Sequence, residues 1–260
     1  ASPLCDTLTI TRRLDAVQYL VIEHLPREDV RAALKQTPDI ARAVSRLSLQ
    51  RAGPRDLGAV RDALVSGRAC AALLEKFAGA IGLPEDLAAL AAALAAPSGA
   101  LLESLQTALA DDLPHQRRDG GFIRPGYDEG LDRARALRDD SRKVMAELES
   151  EYQALAGIKT LRIRHNNILG VFIEVGAATA KPMLEAPLSE TFRHRQTMAS
   201  AVRFTTPKLA EIEGQIASAA ERATAIENEM FAGLASAIGS EEHALSALAA
   251  ALADLDCLAA

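Results

Sequence analysis

The chain has 260 residues, of which 49% are hydrophobic and 25% charged, and its formal net charge is −6 at pH 7. A chain of this length can bury a sizeable core in one or two domains. No signal peptide is recognisable, and the apolar stretch 83–109 is interrupted by charged residues and a proline, so neither export nor membrane insertion is expected.

The cysteines exclude two further classes of protein. There are three of them, far apart in the chain: Cys5, Cys70 and Cys257. An odd number without close spacing predicts neither a disulfide framework nor a cysteine metal site, and it suits a reducing compartment. We therefore expect a cytoplasmic protein.

The first half of the chain has the periodicity of amphipathic helices. Apolar residues three and four apart predict helices over 9–25, 39–49 and 56–77, with Pro26 opening another helix at its first turn. The predicted inward residues are Leu14, Val17, Leu20, Val21 and Leu25 in the first helix, Ile40, Val44 and Leu47 in the second, and Leu57, Val60, Leu64 and Leu73 in the third. Two Ala- and Leu-rich stretches, 83–94 and 101–109, predict short helices that complete a helical bundle.

Two longer helices are predicted over 127–156 and 207–238. Their apolar stripes advance in steps of three and four, as in helices packed side by side. The first stripe is Leu131, Ala134, Leu137, Ser141, Val144 or Met145, Leu148, Tyr152 and Leu155, in which only Ser141 is polar; the second is Leu209, Ile212, Ile216, Ala219, Ala223, Ile226 and Met230. We expect an antiparallel pair, each helix about 45 Å long.

The segment between these helices has the pattern of strands. Residues 158–164 and 169–175 alternate or are rich in β-branched side chains, and the polar break 165–167 between them predicts a β-hairpin. Residues 192–197 and 202–206 predict a second, weaker strand pair. The predicted fold is therefore mainly α, a helical bundle with a long antiparallel helix pair that carries a small antiparallel β-sheet at its tip.

The charge of the segment 158–208 is unlike that of the remaining chain. Eight basic and three acidic residues give the segment a net charge of +5, so the remainder carries −11. The basic residues are Lys159, Arg162, Arg164, Lys181, Arg193, Arg195, Arg203 and Lys208. A basic tip on an acidic body is typical of a surface that binds a polyanion. The alternative is a solvated basic loop whose cations pair with nearby acids, and charge alone does not separate the two.

The sequence lacks the residue patterns of common catalytic sites. No Gly-Lys dipeptide occurs, which excludes a Walker-type phosphate loop, and the turn-rich link 119–126 has neither the spacing nor the lysine of a nucleotide-binding loop. The five histidines are scattered without metal-ligand spacing. We expect that this polypeptide is not an enzyme and holds no cofactor or metal.

Three groups of motifs are long enough to compare with known families. They are Arg118-Asp119-Gly120-Gly121-Phe122-Ile123-Arg124-Pro125-Gly126-Tyr127 with Leu131-Asp132; Gly157-Ile158-Lys159-Thr160-Leu161-Arg162-Ile163-Arg164-His165-Asn166-Asn167 with Leu169-Gly170 and Phe172-Ile173-Glu174-Val175; and His194-Arg195-Gln196-Thr197-Met198-Ala199 with Arg203-Phe204-Thr205-Thr206 and Leu209. These motifs resemble the bacterial MutS DNA mismatch-repair family, in the region called the core, lever and clamp. Shorter pieces, 13–17 and 55–57, fit the helical core of that family.

The resemblance implies a division of the chain and a set of partners. Residues 1–157 would be the helical core and outgoing lever helix, 158–208 the clamp, and 209–260 the returning lever helix. In the family, two subunits reach around double-stranded DNA that contains a mismatch, and the clamps close over its backbone. The mismatch reader and the ATPase lie outside this region, so ATP, Mg²⁺, the homodimer and the partner protein MutL are implied for the full-length protein only. The chain ends interrupt helical patterns, which indicates a piece of a longer protein.

The resemblance also carries DNA contacts onto two groups of residues. The hairpin turn supplies His165, Asn166 and Asn167, and the second strand pair supplies Arg193, Arg195, Thr197 and Ser200. Amides, hydroxyls and guanidinium groups can all donate to phosphate oxygens without reading sequence. Family members commonly have Asn where this chain has Ser200, so a shorter donor stands there. The alternative is structural: Asn166 and Asn167 serve only the turn, and Arg164 and Arg203 pair with acids on the helices. A function as a helical arm that does not bind DNA on its own stays open.

Overall fold

The computed structural model describes residues 5–78, 82–166 and 169–260, and only the backbone of residues 24, 25 and 142. The chain forms two compact units. Unit 1 comprises Ala1–Tyr127 with Glu227–Ala260, and unit 2 comprises Asp128–Ile226. The segment 158–208 lies within unit 2 together with helical residues on both sides of it. The three-part division of the chain stays a prediction.

Ten α-helices and one four-stranded sheet are found in the described residues, which confirms a mainly α fold with a small sheet. The helices are α1 (Thr7–Ile22), α2 (His24–Leu34), α3 (Ile40–Ser48), α4 (Pro54–Phe77), α5 (Glu85–Ala95), α6 (Gly99–Ala108), α7 (Glu129–Ala156), α8 (Leu188–Thr191), α9 (Pro207–Ser240) and α10 (Glu242–Ala259). The strands are β1 (Arg162–Asn166), β2 (Gly170–Gly176), β3 (Arg193–Thr197) and β4 (Ala201–Thr205).

The helices of unit 1 begin at residues that satisfy the free backbone amides of a first turn. Asp6 and Asp39 accept hydrogen bonds from the amides three residues on, at 2.8 and 3.0 Å. At α4, Pro54 occupies the first turn and the Asp56 carboxylate accepts from the Gly53 amide at 2.7 Å. Helix α4 therefore begins directly after Gly53.

Most predicted core positions of unit 1 are buried, with exceptions on two helices. Helix α1 buries only Ala16 and Leu20, whereas Leu14 and Val21 are exposed, because α1 contacts its neighbours along one narrow row. On α4 the fully buried residue is Leu74, and Leu73 beside it is half-buried. The side chain of Leu25 lies outside the described residues.

The glycine-rich link 119–126 binds the carboxylate of a glutamate from the same chain. Both carboxylate oxygens of Glu227, a buried residue of α9, accept from the Gly121 amide, at 2.9 and 3.0 Å. Gly120 and Gly121 have φ values of 65° and 80°, and a Cβ at Gly120 would lie 3.1 Å from Glu227 Oε2. The two glycines thus provide a left-handed turn that closes over a carboxylate.

The described residues contain neither a metal-binding cluster nor a single helix that could span a membrane. No group of three or more His, Cys, Asp or Glu residues there could hold a metal ion. No single described helix is long and apolar enough to cross a membrane; α5 and α6 reach that length and composition only together, with a bend of 48° between them.

The three thiols of the folded chain should react at very different rates. Cys5 and Cys257 are exposed, whereas Cys70 lies in the core of unit 1, where burial raises the pKa of its thiol to about 11. A raised pKa leaves the thiol protonated at mildly alkaline pH, and the thiolate is the reactive form. We expect Ellman's reagent at a pH of about 8 to label two thiols quickly and the third only in denaturant. Rapid labelling of all three in the native chain would contradict this packing, and a Cys70→Ala variant should lose only the labelling that appears in denaturant.

Unit 2 contains α7 and the first part of α9 as an antiparallel pair. Lys208 Nζ lies 3.0 Å from Glu151 at one end, and Gly130 faces Ile226 at the other. The pair is not a continuous coiled coil. A cavity of about 310 Å³ lies between the helices, lined by Arg133, Ala134, Leu137, Ser218, Ala219 and others.

The predicted stripe on α7 is wrong at two positions. Leu131, Ala134, Leu148 and Tyr152 are buried as expected, and of the two alternatives Met145 rather than Val144 packs against the core, but Leu137, which lines the cavity, and Leu155 are exposed. Small residues on α9 opposite Leu137 leave the space unfilled. Ser141 is buried at no cost in hydrogen bonding, because its hydroxyl donates to the Leu137 carbonyl at 2.7 Å.

The sheet is antiparallel with the strand order β1-β2-β4-β3, so β1 and β3 are its edges. Its inner face packs on the end of α7 and the start of α9. The core comprises Leu148, Tyr152, Leu161, Val171, Ile173, Val175, Ala180, Met183, Phe192, Val202, Phe204, Leu209 and Ile212. The Tyr152 and Phe192 rings meet edge to face, with centroids 5.2 Å apart. The predicted hairpin is confirmed, although β1 begins four residues later than expected and includes His165 and Asn166.

Candidate functional site

Side chains of α7 fix the outer edge of β1. The Glu149 carboxylate accepts from the Ile163 amide at 2.7 Å, and the Gln153 side-chain amide donates to the Leu161 carbonyl at 2.9 Å. These groups satisfy backbone atoms that a further strand would otherwise pair. The beginning of β1 is therefore tied to the helix at its outer edge.

The start of α9 is tied to α7 through one buried hydroxyl. Thr206 Oγ1 accepts from the Leu209 amide at 3.0 Å, as a helix N-cap, and also lies 2.5 Å from the Tyr152 hydroxyl. The Glu151 carboxylate accepts a hydrogen bond from Lys208, which raises the pKa of that ammonium group. The sheet is thus mounted on two helices whose ends are joined by polar contacts.

The outer face of the sheet carries a network of ion pairs. Glu174 lies 3.1 Å from Arg164 and 3.3 Å from Arg203. The Arg203 guanidinium also stacks 4.5 Å above the ring of Phe172, which is only 2% exposed. Arg164 and Arg203 do pair with an acid, but the expected partners on the helices are wrong, because both pair with Glu174 of β2.

The eight cations of the segment 158–208 divide into two equal groups. Four form ion pairs, the two just described and two with α7: Arg162 with Glu149 at 3.7 Å and Lys208 with Glu151. The other four have no ion pair among the described residues: Lys159, Lys181, Arg193 and Arg195. The four ion-paired cations neutralise acids of the fold itself, whereas the charges of the other four remain available at the surface.

Hydrogen bonds to Leu169 in the hairpin turn hold two residues of the predicted site, Asn166 and Arg195, close together. Asn166 Oδ1 accepts from the Leu169 amide at 2.7 Å, and the Arg195 guanidinium donates to the Leu169 carbonyl at 2.8 Å. One backbone position therefore links the hairpin turn to the edge strand β3. His165 is exposed beside them, and the predicted contact Asn167 lies outside the described residues.

Strand β3 presents cations along an open edge. All five of its residues are exposed, and the pairing with β4 slips between His194 and Gln196. Arg195 is the extra residue of this β-bulge, which turns its side chain out of the strand alternation. Arg193 pairs with Thr205 near the end of β4, at the same end of the sheet as the hairpin turn.

The remaining predicted residues lie at the opposite end of the sheet. Thr197 pairs with Val202, and its hydroxyl lies 2.8 Å from His194 Nε2. Ser200 is exposed in the turn between β3 and β4, where its carbonyl accepts from the Ala177 amide at 3.0 Å. The strand order thus brings Asn166, His165, Arg193 and Arg195 to one end and leaves Ser200 at the other. Sequence patterns could not show this, since they do not give the order of the strands.

These features define a class of protein: a mainly helical scaffold that presents a small, cation-bearing sheet on an antiparallel helix pair. The family model of MutS domain III matches residues 1–260. The chain therefore belongs to the MutS family of DNA mismatch repair proteins and corresponds to its domain III.

Relatives from several bacteria agree with this assignment. The chain is 49% identical over 259 residues to the DNA mismatch repair protein MutS of Nitrobacter winogradskyi and 50% identical over 262 residues to that of Azorhizobium caulinodans, and both matches cover 100% of the chain. The corresponding protein of Rhodopseudomonas palustris is 48% identical over 98% of the chain. The chain spans 27–29% of the length of these relatives.

Proposed function

We propose that the hairpin-turn end of the sheet binds the sugar–phosphate backbone of duplex DNA. The observation that carries this proposal is the position of Arg193 and Arg195, two exposed cations that form no ion pair among the described residues and lie at the same end as Asn166. Exposed guanidinium groups can donate to phosphate oxygens, and contacts to phosphates fix position without reading bases. His165 and Asn166 add donors at the turn.

In this proposal the contact with the DNA backbone is made within a longer protein. There, two subunits hold mismatched duplex DNA, and α7 and α9 connect the sheet to an ATPase that uses ATP and Mg²⁺ outside this chain. MutL is the proposed protein partner and the cytoplasm the proposed location. The support for these steps is membership of the family and the helix pair that carries the sheet. The chain itself supplies binding and not catalysis.

Neutralising the two arginines should weaken DNA binding and reduce its dependence on salt. Each lost phosphate contact lowers the slope of log affinity against log salt by about 0.9, so an Arg193→Ala/Arg195→Ala variant should flatten the slope by about two. Fluorescence anisotropy of a short labelled duplex, titrated at several salt concentrations, measures this change.

The matched control is Arg42→Ala/Arg51→Ala, which removes two exposed arginines from unit 1 and leaves the same net charge. It should keep the slope of the parent chain. Equal slopes for both double variants would refute phosphate contacts at β3. An absence of binding by the parent chain, even at low salt, would show that this surface alone is not a DNA site.

A second candidate is a helical arm that does not bind DNA on its own. It is supported by the four cations that the fold itself neutralises and by the net charge of −6. In that case the helices transmit motion or dock a partner, and the sheet touches DNA only in the assembled protein. The salt titration separates the two candidates.

A further inference from the structure

A carboxylate of α9 holds the beginning of β2. The Glu213 Oε1 atom accepts from the Val171 amide at 2.8 Å. Strand β4 pairs with β2 only from Ile173 onward, because the chain then leaves the sheet to enter α9. The carboxylate therefore takes the place of the strand carbonyl that β4 no longer provides.

The contact between Glu213 and Val171 requires a glycine at position 170. Gly170 has a φ of 68°, and a Cβ built on it would collide with Oε1 of Glu213. Only glycine combines the left-handed conformation with so close an approach of a side chain to the backbone. The Leu169-Gly170 pair of the sequence thus has a partner on a helix more than 40 residues away.

The contact lies next to the proposed phosphate-binding groups. Leu169, one residue before Gly170, is bonded through its amide to Asn166 and through its carbonyl to Arg195. A displacement of the start of β2 would move both partners. We propose that Glu213 is a positioning residue, which fixes the hairpin turn to α9 so that Asn166 and Arg195 meet DNA phosphates together. This inference rests on the proposed function.

Removal of the Glu213 carboxylate should change DNA affinity in opposite directions, depending on whether the carboxylate acts through its charge or through its positioning contact. A carboxylate near a polyanion is repulsive, so its loss through charge alone would strengthen DNA binding. Loss of a positioning contact would weaken binding despite the more favourable charge. The sign of the change therefore distinguishes a positioning role from a general electrostatic one.

The test compares three variants of the 260-residue chain. Glu213→Ala loses both the charge and the acceptor, whereas Glu213→Gln keeps an acceptor oxygen. Glu211→Ala removes an exposed carboxylate of the same helix that forms no hydrogen bond or ion pair among the described residues. We expect Glu213→Ala to bind a labelled duplex about three- to tenfold more weakly, the effect of one lost hydrogen bond. Glu213→Gln and Glu211→Ala should bind at least as tightly as the parent chain. Tighter binding by Glu213→Ala would overturn the proposal.

Amide exchange supplies a readout that does not depend on DNA. The Val171 amide should exchange faster in Glu213→Ala than in the parent chain, Glu213→Gln or Glu211→Ala, measured without DNA. Equal exchange in all four proteins would overturn the positioning role. If the parent chain fails to bind DNA while Val171 responds as expected, the proposed function fails and the structural part of this inference stands.

Discussion

Replacing Phe204 by alanine should destabilise unit 2 by about 3–5 kcal/mol, the typical cost of deleting a buried aromatic side chain. Phe204 is fully buried on the inner face of β4, opposite Ile173, and its ring meets His194 edge to face at 6.1 Å. The loss would leave a cavity between the sheet and the two helices. Amide exchange of β2 and β4 measures the change within unit 2, where a single unfolding transition of the whole chain need not be assumed.

The neighbouring residue provides the control. Thr205 lies on the other face of β4, because successive side chains of a strand alternate, and it is half-buried. Thr205→Ala should change the stability of unit 2 by less than about 0.5 kcal/mol. A cost below about 1 kcal/mol for Phe204→Ala would mean that the sheet does not pack as described.

Replacing Glu227 by alanine should lower the unfolding free energy of unit 1 by about 2–3 kcal/mol. The substitution removes a charge-assisted hydrogen bond from the Gly121 amide to a buried carboxylate, and hydrogen bonds to charged groups contribute about 1.5–3 kcal/mol. Urea unfolding followed by far-ultraviolet circular dichroism gives the free energy.

Two variants bracket the cause of this effect. Glu227→Gln keeps an acceptor and should lose less than Glu227→Ala, whereas Glu229→Ala, at an exposed position of α9, should be nearly neutral. If all three variants unfold at the same urea concentration, the contact between α9 and the Gly120–Gly121 turn contributes nothing to stability.

Local patterns were sufficient to predict the class of fold. Spacing of apolar residues gave the helices of unit 1, and the polar break between two β-branched runs gave the hairpin. The Gly121 contact was not predictable, because its two partners are 106 residues apart and neither has an unusual local pattern. The same holds for Glu213 and Val171. A half-buried glutamate on a predicted helix has no local sign of the backbone amide that it binds.

The errors have a common physical origin. Periodicity assigns Leu137 and Leu155 to a buried stripe because it assumes that a partner helix follows the whole length. The partner here carries small residues at Ser218 and Ala219, so the helices enclose a cavity and Leu137 stays exposed. For the candidate site, sequence identified the cations but could not assign their partners. Arg193 and Arg195 differ from Arg164 and Arg203 only in what the strand order places beside them.

The open edge at β3 also bears on the solubility of the chain. An unpaired strand edge offers backbone donors and acceptors to a second sheet, and proteins guard such edges with charge and bulges. Strand β3 has both, through Arg193, Arg195 and the irregular pairing at His194 and Gln196. The two side chains that we propose as DNA contacts would therefore also protect the edge against aggregation.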